Sequence, residues 1–291
     1  EISLGLVGSE MCIRDSICYI WKNKTFRENK SLPFSLTTNI LFKGENTMYQ
    51  KLLSIITICK NEPFIESTCQ SICSQINQNF EWLIIDGAST DDTLKKIKPF
   101  QKRADIFISE TDTGIYPAMN KGINLAHGKY LLFLNGGDQL YNNETIAHVL
   151  PYLNKGNADI FYGDSYRLFE NETDCFIKTY PDTIRKSFFL DNTLAHQSSF
   201  IKKDLFAKLG TYREDFKIVS DKEKWLCFID NGARFSHLPF PCSCFRMNGI
   251  SRFPSQLLKE EKIRMLKEYY SEKTLCDSTL PYLQALFSKQ H

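Results

Sequence analysis

The segment LLSIITIC, at Leu52–Cys59, is the most informative part of the sequence for the fold. It is short, almost wholly apolar and rich in isoleucine, which is typical of a parallel strand covered on both faces. Four later segments have the same character, and helical spacing or turn residues separate them. They are FEWLIID at Phe80–Asp86, DIFIS at Asp105–Ser109, YLLFLN at Tyr130–Asn135 and DIFYGD at Asp159–Asp164. The alternation predicts an α/β fold, with a mainly parallel central sheet and helices on both faces.

The other segments carry the spacing and the end signals of further elements. An apolar stripe predicts a helix over Ile65–Ile76, and a capping box at Ser89–Asp92 predicts the start of another. Two more helices are predicted over Ile115–Ala126, with Gly128 at the C′ position, and over Thr145–Leu153. A fifth is predicted from Ser220, as its N-cap, to about Asn231. In the second half, SYRLF and CFIKTY flank a polar NETD turn and predict a hairpin. HQSSFIKK, at His196–Lys203, predicts a strand, and Pro254–Tyr270 predicts a charged amphipathic helix.

Composition narrows the class of protein. The chain has 291 residues, its hydrophobic fraction is 42%, and its net charge is only +2, which argues against a broad basic face for nucleic acid. The 10 cysteines form no CxxC motif, so we expect reduced thiols and no zinc site. No apolar run is long enough to span a bilayer, and the N-terminus does not resemble a signal peptide. We therefore expect a cytoplasmic protein.

The N-terminal segment differs from the rest of the chain. SLGLVGSEMCIRDS, at Ser3–Ser16, closely resembles a translated sequencing adapter, and Ile17–Thr47 has no sustained apolar period. Met48 is a plausible start, because a clear strand follows within a few residues. We therefore predict that residues 1–47 are a non-native or disordered extension; a natural tail or targeting arm is the alternative.

Polar residues follow the predicted strands, where ligands of open α/β sheets bind. Asn61 and Glu62 follow the first strand, Asp112 follows the third, and Asn135–Asp138 follow the fourth. The sequence has no GxGxxG after the first strand and no GxxxxGK[ST], so the usual dinucleotide and P-loop sites are not indicated. Carboxylates and amides at strand ends suit a metal–pyrophosphate site, because Mg²⁺ and Mn²⁺ prefer oxygen ligands.

Four blocks of the sequence resemble those of family 2 glycosyltransferases, which have the GT-A fold. The blocks are SIITICKNE, LIIDGASTDDT, SETDTGIYPAMNKGINLAHGKYLLFLNGGD and IVSDKEKWL. The resemblance covers about Leu52–Ser251 and is nearest to bacterial enzymes that build surface polysaccharides. It implies transfer of a sugar from a nucleotide-diphosphate sugar to a glycan or lipid-linked acceptor. A GT-A domain over 48–253 and a C-terminal helical segment over 254–291 are then expected.

The resemblance assigns the donor side of the site to residues at several strand ends. It places Thr57 and Glu62 in the nucleotide pocket, Asp86 against the base, Asp112, Asn120 and Lys121 near the ribose and diphosphate, and Arg246 on a loop with Asn248–Ser251 that closes over the diphosphate. The family often has a second Asp where Gly87 stands. A solvated helix face is the alternative for Asn120 and Lys121, and a surface arginine is the alternative for Arg246.

The metal motif of the family, Asp-x-Asp-Asp, corresponds here to Asn135, Gly136, Gly137 and Asp138. Asp138 keeps its carboxylate, and Asn135 offers a weaker carbonyl ligand. The resemblance therefore implies an Mg²⁺ or Mn²⁺ cofactor held by these two residues. A simple Gly-Gly turn is the alternative.

Asp221 matches the catalytic base of the family, and the resemblance implies an inverting reaction. General-base help of this kind is worth roughly 10²–10⁴-fold. The alternative is a first-turn carboxylate that serves the helix dipole. His196 and Gln197 match the acceptor side of the family site. Trp225, one turn after Asp221, is expected to wall the acceptor pocket or to pack in the core.

Two other functions compete with the glycosyltransferase assignment. A nucleotidyltransferase also needs a nucleotide pocket and acidic metal ligands, but KNEP after the first strand is a poor match to its basic glycine-rich loop. A catalytically weak sugar-nucleotide-binding or scaffold protein would fit the reduced metal motif, whereas Asp221 argues against it. Contact with a lipid-linked acceptor is expected to be peripheral, at the inner face of the plasma membrane, with the final helix as a candidate surface.

Overall fold

The computed structural model describes residues 51–168, 175–246 and 255–278, which belong to one compact unit, Tyr49–His291. The predictions for residues 1–47, the NETD turn, Asn248–Ser251, Pro254 and 279–291 concern positions outside these ranges.

The strands form a single sheet. Their bounds are β1 Leu53–Cys59, β2 Glu81–Asp86, β3 Ile106–Ser109, β4 Tyr130–Phe133, β5 Gln139–Leu140, β6 Ile160–Leu168, β7 Cys175–Lys178, β8 Ser199–Lys202 and β9 Phe235–Arg246. In the described part of the chain the sheet has nine strands, in the order β3-β2-β1-β4-β8-β6-β9-β5, and β7 pairs with β6. The pairing of β6 with β7 is antiparallel, which confirms the predicted hairpin.

The sheet is parallel in its first half and mixed in its second. β1 pairs in parallel with β2 and β4, and β2 pairs in parallel with β3. Beyond β4, strand β8 lies antiparallel to both β4 and β6, and β5 lies antiparallel to β9. Continuous parallel pairing therefore runs from β3 to β4, and β6 also pairs in parallel with β9, so the antiparallel β8 interrupts the parallel sheet that we expected. The reason is that β8 is inserted between β4 and β6, a pairing that apolar runs do not encode.

Helices connect the strands. Their bounds are α1 Ile65–Cys73, α2 Thr93–Ile97, α3 Ile115–Leu125, α4 Thr145–Lys155, α5 Lys203–Leu209, α6 Ser220–Asp230, α7 Gln256–Tyr269 and α8 Glu272–Cys276, with short 3₁₀ helices at Lys186–Leu190 and His196–Ser198.

Several predicted ends are corrected by the structure. α2 begins at Thr93 rather than at a capping box, because the hydroxyl of Ser89 donates to Asp86 instead. α3 ends before an extended Ala126, so Gly128 is not its C′ residue. A Cβ atom at Gly128 would lie 2.5 Å from the backbone nitrogen of Ser54, and this close approach explains the glycine.

The core has two layers, one on each face of the sheet. Alternate residues of β1 point to opposite layers: Ile56 and Ile58 join one, and Leu53 and Ile55 join the other. The first layer includes apolar residues of α3, α5, α6 and α7, and the second includes those of α1, α2 and α4. Helices therefore cover both faces, as predicted, and the carboxyl ends of β1, β2, β3 and β4 lie along one edge.

Candidate active site

The turn after β4 packs directly on the segment after β1. A Cβ atom at Gly136 would lie 2.7 Å from Cγ of Glu62, and one at Gly137 would lie 3.3 Å from its Oε1. Gly137 also has a φ of 90°, a conformation that side chains with a Cβ rarely adopt. The two glycines thus allow the Glu62 carboxylate to lie beside the Asn135–Asp138 turn.

Asp138 is buried at this turn and is held by two donors. Its Oδ2 accepts a hydrogen bond from Nε2 of Gln197 at 2.9 Å, and the backbone N–H of Arg246 donates to the same carboxylate. Burial raises the pKa of Asp138 to about 7, against the opposing influence of His196 and Gln197. A nearby cation would favour the charged form of this carboxylate.

Asp221 lies at the other end of a chain of contacts that starts at Asp138. His196 is the residue before Gln197 in the sequence. Its Nε2 lies 3.2 Å from Nδ2 of Asn135, and its Nδ1 lies 3.7 Å from Oδ2 of Asp221. The side chain of Asp221 is 22% exposed, so a ligand can reach it. The four predicted residues Asn135, Asp138, His196 and Gln197 are therefore in mutual contact, and Asp221 adjoins them.

Tyr116 is a residue of the site that the sequence did not reveal. Its single hydroxyl proton is shared between two acceptors, the carbonyl oxygen of Ile218 at 2.7 Å and Oδ1 of Asp221 at 3.1 Å. Burial raises the pKa of Tyr116 well above its ordinary value, and the adjacent Asp221 carboxylate adds to this effect. Tyr116 therefore stays protonated and holds Asp221 as a donor. A tyrosine in an apolar helix stripe gives no signal of this role.

Asp112, which precedes α3, and Lys121, within α3, form an ion pair. Nζ of Lys121 lies 2.6 Å from Oδ1 of Asp112 and 2.6 Å from Oε1 of Glu110. The side chain of Asp112 is only 8% exposed, and its Oδ2 has no hydrogen-bond partner in the structure. Asp112 thus has an acceptor atom available for a ligand hydroxyl.

Arg246 lies beside the same turn. Its guanidinium carbon is 4.2 Å from the ring centroid of Phe64, a residue of the segment between β1 and α1. The side chain of Phe64 is partly exposed. Arg246 and Phe64 together form a cationic and aromatic surface next to Glu62 and Asp138.

Four predicted site residues have other roles in the structure. Thr57 is fully buried, and its Oγ1 accepts a hydrogen bond from Nε1 of Trp82 at 3.1 Å. Trp225 is 1% exposed and packs on Phe228 and Phe235, so it belongs to the core and not to an acceptor wall.

Asp86 and Asn120 are the other two predicted site residues whose side chains bind groups of the protein itself. The buried carboxylate of Asp86 accepts hydrogen bonds from Ser89 and Ser109, and these bonds organise the loop after β2. The amide of Asn120 is bound to the backbone of Tyr212 and to Glu214, so Asn120 ties α3 to the 212–214 segment.

The loops after β1 and β2 are joined to each other and are strained. Asn61 and Ala88 have φ values of 50° and 57°. The backbone N–H of Asn61 donates to Oγ of Ser89, and the side-chain oxygen of Asn61 accepts from the backbone of Thr90. Strained residues of this kind are often found at functional sites, where surrounding contacts hold them.

The fit of a divalent cation depends on Asp138 and Asn135. In the described ranges no three His, Cys, Asp or Glu side chains are grouped in a way that would hold a metal ion. However, Oδ1 of Asn135 is buried without a partner, beside the Asp138 turn. Mg²⁺ is commonly held by one or two carboxylates together with substrate phosphates and water. The residues therefore fit an ion that the donor phosphates complete.

Two other features bear on the site. A surface depression of about 470 Å³ lies along α7, lined by Glu260, Ile263, Arg264, Lys267 and Glu268, and it contains none of the predicted site residues. We therefore locate the site by the contacts between its side chains. Across the described ranges, no helix is both long and apolar enough for a membrane crossing.

Comparison with known proteins shows which family this chain resembles. The profile of the family described as "Glycosyl transferase family 2" matches residues 54–248. A PGL/p-HBAD biosynthesis glycosyltransferase of Mycobacterium tuberculosis is 32% identical over 179 residues, which are 60% of this chain and 68% of that protein. An uncharacterized glycosyltransferase of Methanocaldococcus jannaschii is 24% identical over 239 residues, which are 78% of this chain and 80% of the relative.

Solved structures share the fold at low sequence identity. The structure of S. aureus TarS 1-349 in complex with UDP-GlcNAc aligns with a TM-score of 0.60 and 15% identity, over 82% of this chain and 72% of that one. The mannosyltransferase PcManGT from Pyrobaculum calidifontis, in complex with GDP-Man and Mn²⁺, aligns with a TM-score of 0.52 and 17% identity, over 82% and 68% of the two chains. The predicted fold class, GT-A, is confirmed.

Proposed function

The chain belongs to glycosyltransferase family 2, and from this premise we propose that it transfers a sugar, with inversion, from a nucleotide-diphosphate sugar to a glycan or lipid-linked acceptor, with Asp221 as general base. The observation that carries this proposal is the chain of contacts from Asp138 through Gln197 and His196 to Asp221. These contacts join two carboxylates at one edge of the sheet. One is the buried Asp138, on the diphosphate side of the proposed site, and the other is the partly exposed Asp221, the proposed base.

Asp221 is suited to accept the proton of the acceptor hydroxyl. That oxygen forms a bond to the anomeric carbon of the donor sugar, while the bond from this carbon to the diphosphate oxygen breaks. The proton passes to Asp221, and the electron pair leaves with the nucleoside diphosphate. Tyr116 and His196 hold the two oxygens of Asp221 during this step. Their contacts reduce the number of orientations that the carboxylate can adopt.

The departing diphosphate needs positive charge. Asp138 and Asn135 would hold Mg²⁺ or Mn²⁺, which supplies charge neutralisation for the leaving group when it is bound. Arg246 lies beside this position, because its backbone N–H donates to Asp138, and it adds a cationic donor. Arginine in particular makes two parallel hydrogen bonds to phosphate oxygens.

The donor side is formed by Glu62, Asp112 and Lys121, and the acceptor side by His196 and Gln197. The free Oδ2 of Asp112 supports a contact with a ribose or sugar hydroxyl. The two aligned proteins whose structures contain UDP-GlcNAc and GDP-Man support a nucleotide-sugar donor of this general class. The named role of the mycobacterial relative supports an acceptor that is lipid-linked or a glycan.

A cytoplasmic location, with at most peripheral membrane contact, is part of the proposal. It is supported by the eight cysteines of the described ranges, which are all unpaired. Fractionation of expressing cells is expected to give the protein in the cytoplasmic extract, with any membrane-bound share released by salt. Recovery only after detergent extraction would contradict this.

Donor binding and turnover test the function directly. We expect one class of nucleotide sugar to raise the melting temperature in the presence of Mn²⁺, since a ligand at 100 times its Kd stabilises by about 2.7 kcal/mol. The same sugar nucleotide should release nucleoside diphosphate when an acceptor pool is added. A donor that binds but never turns over would indicate a scaffold protein instead.

The metal proposal has its own test. Asp138→Ala is expected to weaken Mn²⁺-dependent donor binding, while binding measured in EDTA stays at the wild-type level. Calorimetric titration of the donor with and without Mn²⁺ measures both. An unchanged metal dependence in Asp138→Ala would contradict the ligand role of Asp138.

A further inference from the structure

Glu261 is a buried carboxylate on α7, and α7 lies beyond the residues that match the family profile. Its Oε1 accepts a hydrogen bond from the backbone N–H of Lys217 at 2.6 Å. Its Oε2 accepts from the N–H groups of Ile218 at 2.8 Å and of Val219 at 3.2 Å. One side chain thus binds three successive N–H groups of the segment that leads into α6.

The backbone that leads into α6 needs such an acceptor, and the N–H of Val219 lies at the N-cap position of the helix. The residue before the helix is Val219, whose apolar side chain makes no cap, and backbone donors near a helix start have no partners within the helix. The positive end of the helix dipole also favours a negative charge there. A carboxylate that is 5% exposed is costly to bury unless it is hydrogen-bonded, and the three N–H groups meet this need.

The same segment also reaches the proposed base. The N–H of Ile218 is bound to Glu261, and the carbonyl oxygen of Ile218 accepts from the hydroxyl of Tyr116. That hydroxyl shares its proton between this oxygen and Oδ1 of Asp221. Glu261 is therefore joined to Asp221 by the Ile218 peptide and Tyr116, and also by the backbone of Val219 and Ser220.

We propose that Glu261 is a positioning residue for sugar transfer: its carboxylate fixes the 217–219 backbone and thereby holds Asp221 and Tyr116 in the geometry that accepts the proton of the acceptor. The inference rests on the proposed function, in which Asp221 is the base. It makes α7 part of the catalytic apparatus, although Glu261 touches no substrate.

Exposed ion pairs between α7 and the 213–215 segment do not explain the attachment. Arg264 pairs with Asp215, and Arg213 pairs with Glu268, but all four side chains are between about one third and one half exposed. Pairs of this kind contribute about 0–1 kcal/mol each. The buried contacts of Glu261 are the stronger connection between α7 and the start of α6.

Glu261→Gln tests the proposal, because it keeps the shape of the side chain but replaces one acceptor oxygen by an NH₂ group that faces backbone N–H donors. We expect turnover to fall by about tenfold to 100-fold, since small displacements of catalytic groups have effects of this size. Donor Kd and binding stoichiometry should remain within twofold of wild type. Glu260→Gln, an exposed neighbour on the same helix that bonds Gln256, is the matched control and should keep wild-type turnover.

Wild-type turnover in Glu261→Gln would overturn the inference. So would a fall in turnover that is matched by the same fall in donor-binding stoichiometry, because that result indicates lost folded protein. If Glu261→Gln does not fold, Glu261→Asp takes its place: it keeps the charge on a shorter side chain and is expected to lower turnover with stoichiometric donor binding.

A double-mutant cycle shows whether Glu261 acts through Asp221. In an Asp221→Asn background, Glu261→Gln should cause no further loss of turnover, because residues that act as a unit are not additive. A full additional loss would overturn the inference alone. Wild-type turnover in the single Asp221→Asn variant would contradict the proposed function itself, so the two failures are distinguishable.

Discussion

Asp221 combines features that rarely occur together in a structural carboxylate. It is in the first turn of α6, where it also suits the helix dipole, yet it is partly exposed and is held by Tyr116 and His196. A residue that only served the dipole would need neither contact. Removal of its charge should therefore affect chemistry more than binding.

We expect Asp221→Asn to lower turnover about 10²-fold or more, with donor affinity nearly unchanged, because general-base help is lost while the shape of the side chain is kept. Steady-state kinetics and calorimetry measure the two quantities. Asp230→Asn, at the exposed end of the same helix, is the control and should turn over normally. Equal turnover in Asp221→Asn and wild type would remove Asp221 from the mechanism.

At the scale of residues, sequence reasoning located the strand-end positions but not the protein partners of each side chain. Asp138, His196, Gln197 and Asp221 were named from motifs, and the structure brings them together. Thr57, Asp86, Asn120 and Trp225 were named in the same way, but their polar atoms or rings are used inside the protein. A motif gives the position of a residue, whereas partners far along the chain, such as Trp82 for Thr57, decide where it points.

At the level of elements, the Asn135–Asp138 turn can pack against Glu62 only because Gly136 and Gly137 have no Cβ atom. We expect Gly136→Ala to lower the free energy of unfolding by about 1–3 kcal/mol, because the new Cβ atom overlaps Glu62. Donor binding should weaken as well, because Glu62 or the turn must move. Chemical denaturation and calorimetric donor titration measure the two effects.

Gly210→Ala provides the matched control for this turn. Gly210 has a φ of 79° and no atoms within 4 Å of the position of a Cβ atom, so alanine there costs about 1–2 kcal/mol by backbone strain alone. Its donor affinity should equal that of wild type. The same loss of donor affinity in both glycine variants would show that general destabilisation, and not the Glu62 contact, was responsible.

The connection between β6, β8 and β9 depends on Asp159, which precedes β6. Its carboxylate accepts from Nζ of Lys202 at 2.8 Å and from the backbone and side chain of Arg234. Partial burial alone would raise the pKa of Asp159, but the hydrogen bonds from Arg234 and Lys202 outweigh it and hold the pKa well below its usual range.

This lowered pKa predicts a pH-dependent contribution to stability. The folded state binds the proton of Asp159 more weakly than the unfolded chain, so the stabilisation is complete above the ordinary pKa near 3.8 and is lost as the pH falls below it. We expect Asp159→Asn to reduce the free energy of unfolding by about 1–3 kcal/mol at pH 7. The difference from wild type should shrink as the pH is lowered below 3.8.

Urea denaturation at several pH values checks this prediction. Asp204→Asn, an exposed aspartate on α5, serves as the control and should match wild type throughout. A difference between Asp159→Asn and wild type that is constant down to pH 3 would mean that charge is not the source of the stabilisation.

Most of the strands were predictable, but β5, β9 and the order of the strands were not. Every apolar run named from the sequence overlaps a strand, because burial on both faces leaves a compositional mark. The insertion of β8 between β4 and β6 leaves no such mark in the composition. Residues Ser199–Lys202 pair with both strands through backbone groups, which all sequences share. The capping box at Ser89 failed for a related reason, since Asp86 competes for the same hydroxyl.

For the molecule as a whole, the core that the structure describes begins at Leu53. We therefore expect a chain of residues 48–291 to have a melting temperature within about 2 °C of that of the 291-residue chain and to bind the donor equally well. A shift of 2 °C corresponds to a change of less than about 1 kcal/mol in the free energy of unfolding. Differential scanning fluorimetry and donor titration compare the two chains. A clear loss of stability in the shorter chain would favour a natural arm over a non-native extension.

The position of β8 also determines when the protein can be completed during synthesis. While the ribosome is still translating the region after β6, the outer edge of β4 has no partner, because Ser199–Lys202 have not yet emerged. Unpaired strand edges on partly made chains favour aggregation, and chains usually fold from the N-terminal side first. The nascent chain therefore passes through a stage in which the apolar edge of β4 stays unpaired, and slow translation between β6 and β8 would prolong that stage.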